Sequence, residues 1–244
     1  MKTLRLLPFL TIAAYSASAS IIVQPVSVSV AGASATGEGD GAAANSFIDG
    51  NGLSNASAYT TGSTVPAVWD SHAVASSTEN GNYRTGAFPP GGTDFTFTFS
   101  LGGNYNLTGV HVWGYNADAD NTYSSPGLAL NRLRVEVSND GGANWILAQD
   151  LTTGGALVQP TTGQPTAGET ISFSYVATSG VDTVRFTHMD SFWSPGGGDF
   201  YAYRKGVAEV RFIAETTAIP EPSSFATLAG LAMLGSAALR RRRA

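Results

Sequence analysis

The stretch DFTFTFSLGGNYNLTGVHVWGY, residues 94–115, decides the fold. Phe95, Phe97 and Phe99 alternate with Thr96, Thr98 and Ser100, the period-two pattern of a half-buried β-strand. Gly102-Gly103-Asn104 punctuates the run, and Val110 and Val112 then alternate with His111, Trp113 and Tyr115 in what reads as a second strand. Two strands cannot bury an aromatic face by themselves, so the surrounding chain must supply the sheet that covers it.

Upstream, Ile21 to Ala31 alternates as one strand with Pro25 near its start, and Asp49-Gly50-Asn51-Gly52 asks for a tight turn with positive φ angles. Residues 55–93 are weakly patterned around Val68-Trp69-Asp70. Downstream, Leu133-Val135-Val137 and Trp145-Ile146-Leu147 flank the turn residues 138–142 as a hairpin. Further strands are expected at Ile171-Phe173-Tyr175, at 184–186 and at 207–213, with polar or aromatic loops at 116–126 and 190–205. Short strands at roughly ten-residue spacing, without an amphipathic helix, predict an all-β fold: a β-sandwich of jelly-roll type.

Composition agrees. Charged residues make up 13% of the chain, glycine is abundant at 29 residues, and there is no cysteine. That excludes disulfides, thiolate metal sites and a cysteine nucleophile. Between Ile21 and Ile219 lie seven basic and seventeen acidic residues. Such an acidic domain suits cations and neutral polymers better than nucleic acid.

Both ends carry addresses. Residues 1–20 have a basic start, an apolar run and a small-residue end, the pattern of a secretory signal peptide. The domain is expected over 21–217, and 218–244 form a tail: Pro220-Glu221-Pro222, an apolar segment at 225–239, and Arg240, Arg241, Arg242 and Arg243. The segment is a short hydrophobic helix, shorter than the roughly 20 residues a lone membrane span needs, and the arginines after it would stay cytoplasmic.

That tail resembles the PEP-CTERM sorting signal of exported bacterial proteins. The resemblance implies recognition by an exosortase in a Gram-negative-type cell, transient inner-membrane anchorage, and a destination at the cell surface or in the extracellular matrix. The domain resembles the discoidin-like (coagulation factor type C), galactose-binding-like jelly rolls. The matching pieces run in order from about Val28 to Ala214: residues 47–54, 97–103, 107–113, Asn131-Arg132, 138–145 and 206–212.

In related carbohydrate-binding modules a structural calcium ion often joins the early turn to the last strand, which implies Asp49, Asn51 and Glu209 here; a plain turn closed by Asp49 is the alternative. Residues 138–145 also resemble a single Asp-box hairpin, which performs no chemistry. For ligand binding, the candidates are Trp113, Tyr115, Asp118, Asp120, Tyr123, Trp193, Asp199, Tyr201, Tyr203 and Arg204. Aromatic faces stack on sugar rings while carboxylates and arginine hold hydroxyls, the mix that suits extracellular polysaccharide; Trp113 and Tyr115 fit core packing as well. His72, His111 and His188 stand in no metal-ligand spacing, and no nucleophile-elbow motif is present. The expectation is a non-catalytic surface protein that binds polysaccharide. A structural protein without a specific ligand and a two-carboxylate glycoside hydrolase are the alternatives.

Overall fold

The computed structural model describes residues 19–31, 44–73, 83–84, 95–116, 129–153, 157–161, 164–175, 179–192 and 206–216. Ser20–Thr216 form one compact unit. Its strands are β1 (Ser20–Val23), β2 (Ser27–Ala31), β3 (Tyr83–Arg84), β4 (Thr96–Gly114), β5 (Leu130–Ser138), β6 (Ile146–Asp150), β7 (Glu169–Ser172), β8 (Val181–Ser191) and β9 (Gly206–Glu215). Among the described residues the only helical turns are the 3₁₀ turns Ala44–Phe47 and Ala56–Tyr59.

The deciding stretch is one strand rather than two. β4 runs unbroken for 19 residues, and the glycines expected to separate two strands lie inside it. Gly102 has φ +71°, and the register against β8 shifts between Ser100 and Tyr105. The strand bends there and enters a second sheet. Its first half pairs with β2 and β8, giving the order β2-β4-β8-β5-β6; its second half pairs with β7 and β9, and β9 also carries β1 and β3. All of these strand pairs are antiparallel.

The N-terminal alternation likewise divides in two. β1 pairs with β9 and β2 with the first half of β4, so the chain changes sheet around Pro25, whose missing N–H suits a break in a ladder. Near the other end of the domain, β7 stops at Ser172, and Tyr175 lies beyond it, 49% exposed.

The two sheets enclose one core. Phe97, Phe99, Val135, Val184 and Phe186 from the first meet Val110, Val112, Val210 and Phe212 from the second, and all are buried. Phe99 is central: its ring lies 5.7 Å from Phe47, 4.9 Å from Phe186 and 5.4 Å from Phe212, each edge to face. Trimming that ring leaves a cavity no neighbour can fill without opening another. Phe99→Ala is expected to lower stability by about 3–5 kcal/mol, read as a shift of the urea midpoint; a loss below about 1 kcal/mol would contradict this packing.

Candidate functional site

The second sheet is covered on both faces, and its outer face collects the polar groups. In β9 the residues Val207 through Ala214 are all buried. A register shift at Trp113/Gly114 marks a bulge near Ala208, after which Val210 and Phe212 face the core while Glu209 and Arg211 face outward. Cross-strand from them stand Trp113, opposite Glu209, and His111, opposite Arg211. Residues 44–73 lie over this face, bringing Leu53, Tyr59 and Trp69 against Trp113.

Glu209 and Arg211 form a fully buried ion pair, at 0% and 1% exposure. Glu209 takes Arg211 Nη1 on Oε1 and the Gly50 N–H on Oε2 at 2.8 Å. Arg211 donates Nε to the Tyr59 carbonyl at 2.7 Å, and Nη1 to the carbonyls of Ile48 at 3.1 Å and Val210 at 2.8 Å. Burial pushes the Glu209 carboxyl up to about 7, with the guanidinium and the Gly50 N–H pulling the other way. Gly50 has φ +83°, and a Cβ there would meet Ala56 at 2.9 Å and Arg211 Nη2 at 3.4 Å, so the turn lies directly on the guanidinium.

The same contacts test the expected calcium ligands. Asp49 is exposed, with Oδ1 accepting the Asn51 N–H at 2.9 Å and Oδ2 its side-chain amide at 2.8 Å. The Asn51 carbonyl faces His72 Nε2 at 2.7 Å, and both Glu209 oxygens are engaged as above. Asp49 and Asn51 are thus bonded to each other at the surface, while Glu209 is buried and turned to Arg211 and Gly50. Among the described residues no group of three or more His, Cys, Asp or Glu is arranged to hold a metal ion.

The histidines of this layer are structural. His111 faces Thr170 Oγ1 at 2.8 Å and the Ala167 carbonyl at 2.9 Å, so Nε2 carries the proton in the neutral ring. Trp69 stacks on it at 4.0 Å and on Tyr59 at 5.5 Å. Burial lowers the His111 pKa to about 4, against the carbonyl of Ala167, which raises it. His72 is likewise buried and lowered, and its ring occupies the space above Gly52, where a Cβ would come within 2.3 Å.

Of the candidate ligand contacts, Trp113 and Tyr115 are buried at 0% and 1% exposure. Trp113 donates Nε1 to the Asp70 carbonyl at 2.9 Å and packs in the covering layer; neither ring presents a face to solvent. Asp118, Asp120, Tyr123, Trp193, Asp199, Tyr201, Tyr203 and Arg204 lie outside the described residues, as do Pro220, Glu221, Pro222 and Arg240 to Arg243. What the structure does place is the set of strand ends that flank segments 117–128 and 193–205. Gly114 pairs with Val207, Leu130 with Ser191, and Ala129 bridges Gly206. Tyr115, Ala129 and Phe192 pack together there. The side-chain oxygens Asn131 Oδ1 and Ser191 Oγ are buried at these strand ends without a hydrogen-bond partner among the described residues. A cleft of ≈ 280 Å³ opens nearby between β4 and residues 157–161 and 165–169, lined by Val112, Leu130, Leu157, Pro160, Thr166 and Glu169 among others.

Sequence reasoning missed Arg211, Tyr59 and His72. The available signal was two opposite charges, Glu209 and Arg211, inside an otherwise apolar run, which in a sheet covered on both faces marks a buried pair.

Residues 218–243 match the PEP-CTERM protein-sorting motif. No curated protein matches the chain. Among solved structures, the chain is similar to a family 32 carbohydrate-binding module from a family 31 glycoside hydrolase of Clostridium perfringens, with 16% identity, 76% of this chain and 90% of that one covered, and a TM-score of 0.43. It is also similar to the family 32 module of C. perfringens NanJ, solved with galactose, at 13% identity, 80% and 98% coverage and a TM-score of 0.43. A third is an F5/8 type C domain from Bacteroides fragilis, at 12% identity, 81% and 97% coverage and a TM-score of 0.42. Among the described residues no helix is long and apolar enough to cross a membrane.

The His111 environment gives a pH dependence with a definite sign. Its folded pKa is below the unfolded value of 6.5, so its contribution is present above about 6.5 and is lost as pH falls toward 4. Glu209, raised above its ordinary 4.5, acts oppositely, contributing at low pH and losing that contribution as pH rises through about 7. Comparing the protein with His111→Gln cancels the Glu209 contribution. Between pH 7 and 5 the parent is expected to lose about 2 kcal/mol more than the variant in urea unfolding; parallel pH profiles would show that His111 is not held neutral.

Proposed function

We propose that this chain is an exported bacterial surface protein that binds extracellular polysaccharide without chemically altering it. The observation that carries the binding reading is the gathering of four strand ends around Tyr115, Ala129 and Phe192. Segments 117–128 and 193–205 join these strand ends in the sequence, and they hold Tyr123, Trp193, Tyr201 and Tyr203 together with Asp118, Asp120, Asp199 and Arg204. Rings that stack on sugars, and acids and a cation that hold hydroxyls, are the residue types a polysaccharide site needs, carried by connections between strands of one scaffold. Three acids within the described sheets are otherwise occupied: Glu136 binds Arg185 at 2.8 Å, Asp150 binds Arg134 at 2.9 Å, and Glu209 is buried against Arg211.

The address rests on the sorting motif. A signal peptide over residues 1–20 exports the chain, the 225–239 segment holds it in the inner membrane with Arg240 to Arg243 in the cytoplasm, and an exosortase processes it near Pro220-Glu221-Pro222. The protein then resides at the surface or in the matrix.

Retention on a panel of immobilised polysaccharides tests the binding reading. Selective retention is expected, with Trp193→Ala weakening it by about tenfold or more, as loss of one stacking ring does. Uniform absence of retention would favour a purely structural surface protein, and release of shortened chains would mean a hydrolase. In cells with an exosortase, Glu221→Ala is expected to accumulate the uncleaved form on an immunoblot; unchanged processing would remove the motif's assigned role.

A further inference from the structure

We infer that the guanidinium of Arg211 is this domain's internal cation, seated in an oxygen-lined site under the Asp49–Gly52 turn where a divalent metal would otherwise be needed to join that turn to β9. The donor set is the one a hard cation would use: the carbonyls of Ile48 and Tyr59 and the Glu209 carboxylate, all turned toward one positive group in a region without solvent. These oxygens come from three separate parts of the chain, residues 48, 59 and 209, and Arg211 binds all three. A peptide carbonyl aimed into a buried space is costly unless a donor meets it, and here one side chain meets both.

The geometry also accounts for the turn. Glu209 closes the arrangement from the other side by accepting the Gly50 N–H at 2.8 Å, so the turn is held through its carbonyl at Ile48 and its amide at Gly50 at once. A planar, permanently charged fork that donates in several directions suits this task, whereas a lysine would present one charge without the spread. Because the cation is covalently part of β9, the cross-link forms on folding and does not depend on metal in the medium. Asp49 is exposed and bonded to Asn51, whereas the Glu209 carboxylate is buried against the guanidinium.

Thermal melting of the full-length chain in mild detergent, followed by tryptophan fluorescence, tests this. Millimolar calcium, or a chelator in its place, is expected to move the midpoint by less than about 1 °C, since a ligand that does not bind cannot stabilise. A saturable rise of several degrees with calcium, lost in Glu209→Gln, would overturn the inference. Arg211→Met, which leaves the Glu209 charge unpaired, is expected to lower the midpoint by roughly 10 °C. The double variant Glu209→Gln/Arg211→Met should lose clearly less than the two single variants together, because the pair is removed as a unit. An Arg211→Met protein that melts like the parent, or strictly additive losses, would overturn it. If Arg211→Met does not fold, the calcium and chelator measurement on the unmodified protein still decides.

Discussion

The buried pair of Arg211 with Glu209 is the constraint on which the covering layer depends. Residues 44–73 contain little regular structure, with two short 3₁₀ turns, and their backbone joins the sheet where residues 62–65 bond to Ser20 and Ile22 of β1. Elsewhere directed contacts hold them: Ile48 and Tyr59 to the guanidinium, Gly50 to Glu209, Asp70 to Trp113, and His72 to Asn51. Removing two charges from water is expensive, and their attraction offsets the cost only when the remaining donors and acceptors are also satisfied. Here they are. Breaking one partner would strand the other, so the pair acts as an all-or-none lock rather than a graded contribution.

The lock explains why so much aromatic surface can sit on the outer side of a sheet. Trp113, Trp69, Tyr59 and His111 stack or meet edge to face at 4.0–5.8 Å, a second small core outside the main one. Such a layer is thin and excludes water only while the overlying loop stays in place. The Asp140 hairpin uses a different device at the edge of the other sheet. Asp140 accepts from Ser138 and Asn144, which holds its carboxyl near 2, and Arg185 lies 4.2 Å above the Trp145 ring. Both arrangements replace regular secondary structure with local polar closure.

Much of the architecture was legible from side-chain period. Phe95, Phe97 and Phe99 alternate because the first sheet has one wet face, and the strands at 133–137 and 145–147 declare themselves in the same way. The continuity of β4 was not legible, because Gly102-Gly103-Asn104 has the composition of a hairpin turn and only its neighbours make it a bend. His111 and Trp113 stand on the half of the alternation opposite Val110 and Val112; they are buried because residues from the 44–73 segment cover them, a contact spanning some fifty residues that no local pattern encodes. Glu209 stood out, but its role depended on the Gly50 amide, 159 positions away.

Strand β9 has a directional consequence for the domain. It begins at Gly206, beside the gathered strand ends that anchor the aromatic segments, and it finishes at Glu215, next to Ser20 of β1. Ten extended residues span about 30 Å. The described chain therefore leaves the sandwich, at Thr216, at the end of β9 opposite Gly206 and the strand ends gathered there, with the full length of the strand between the two.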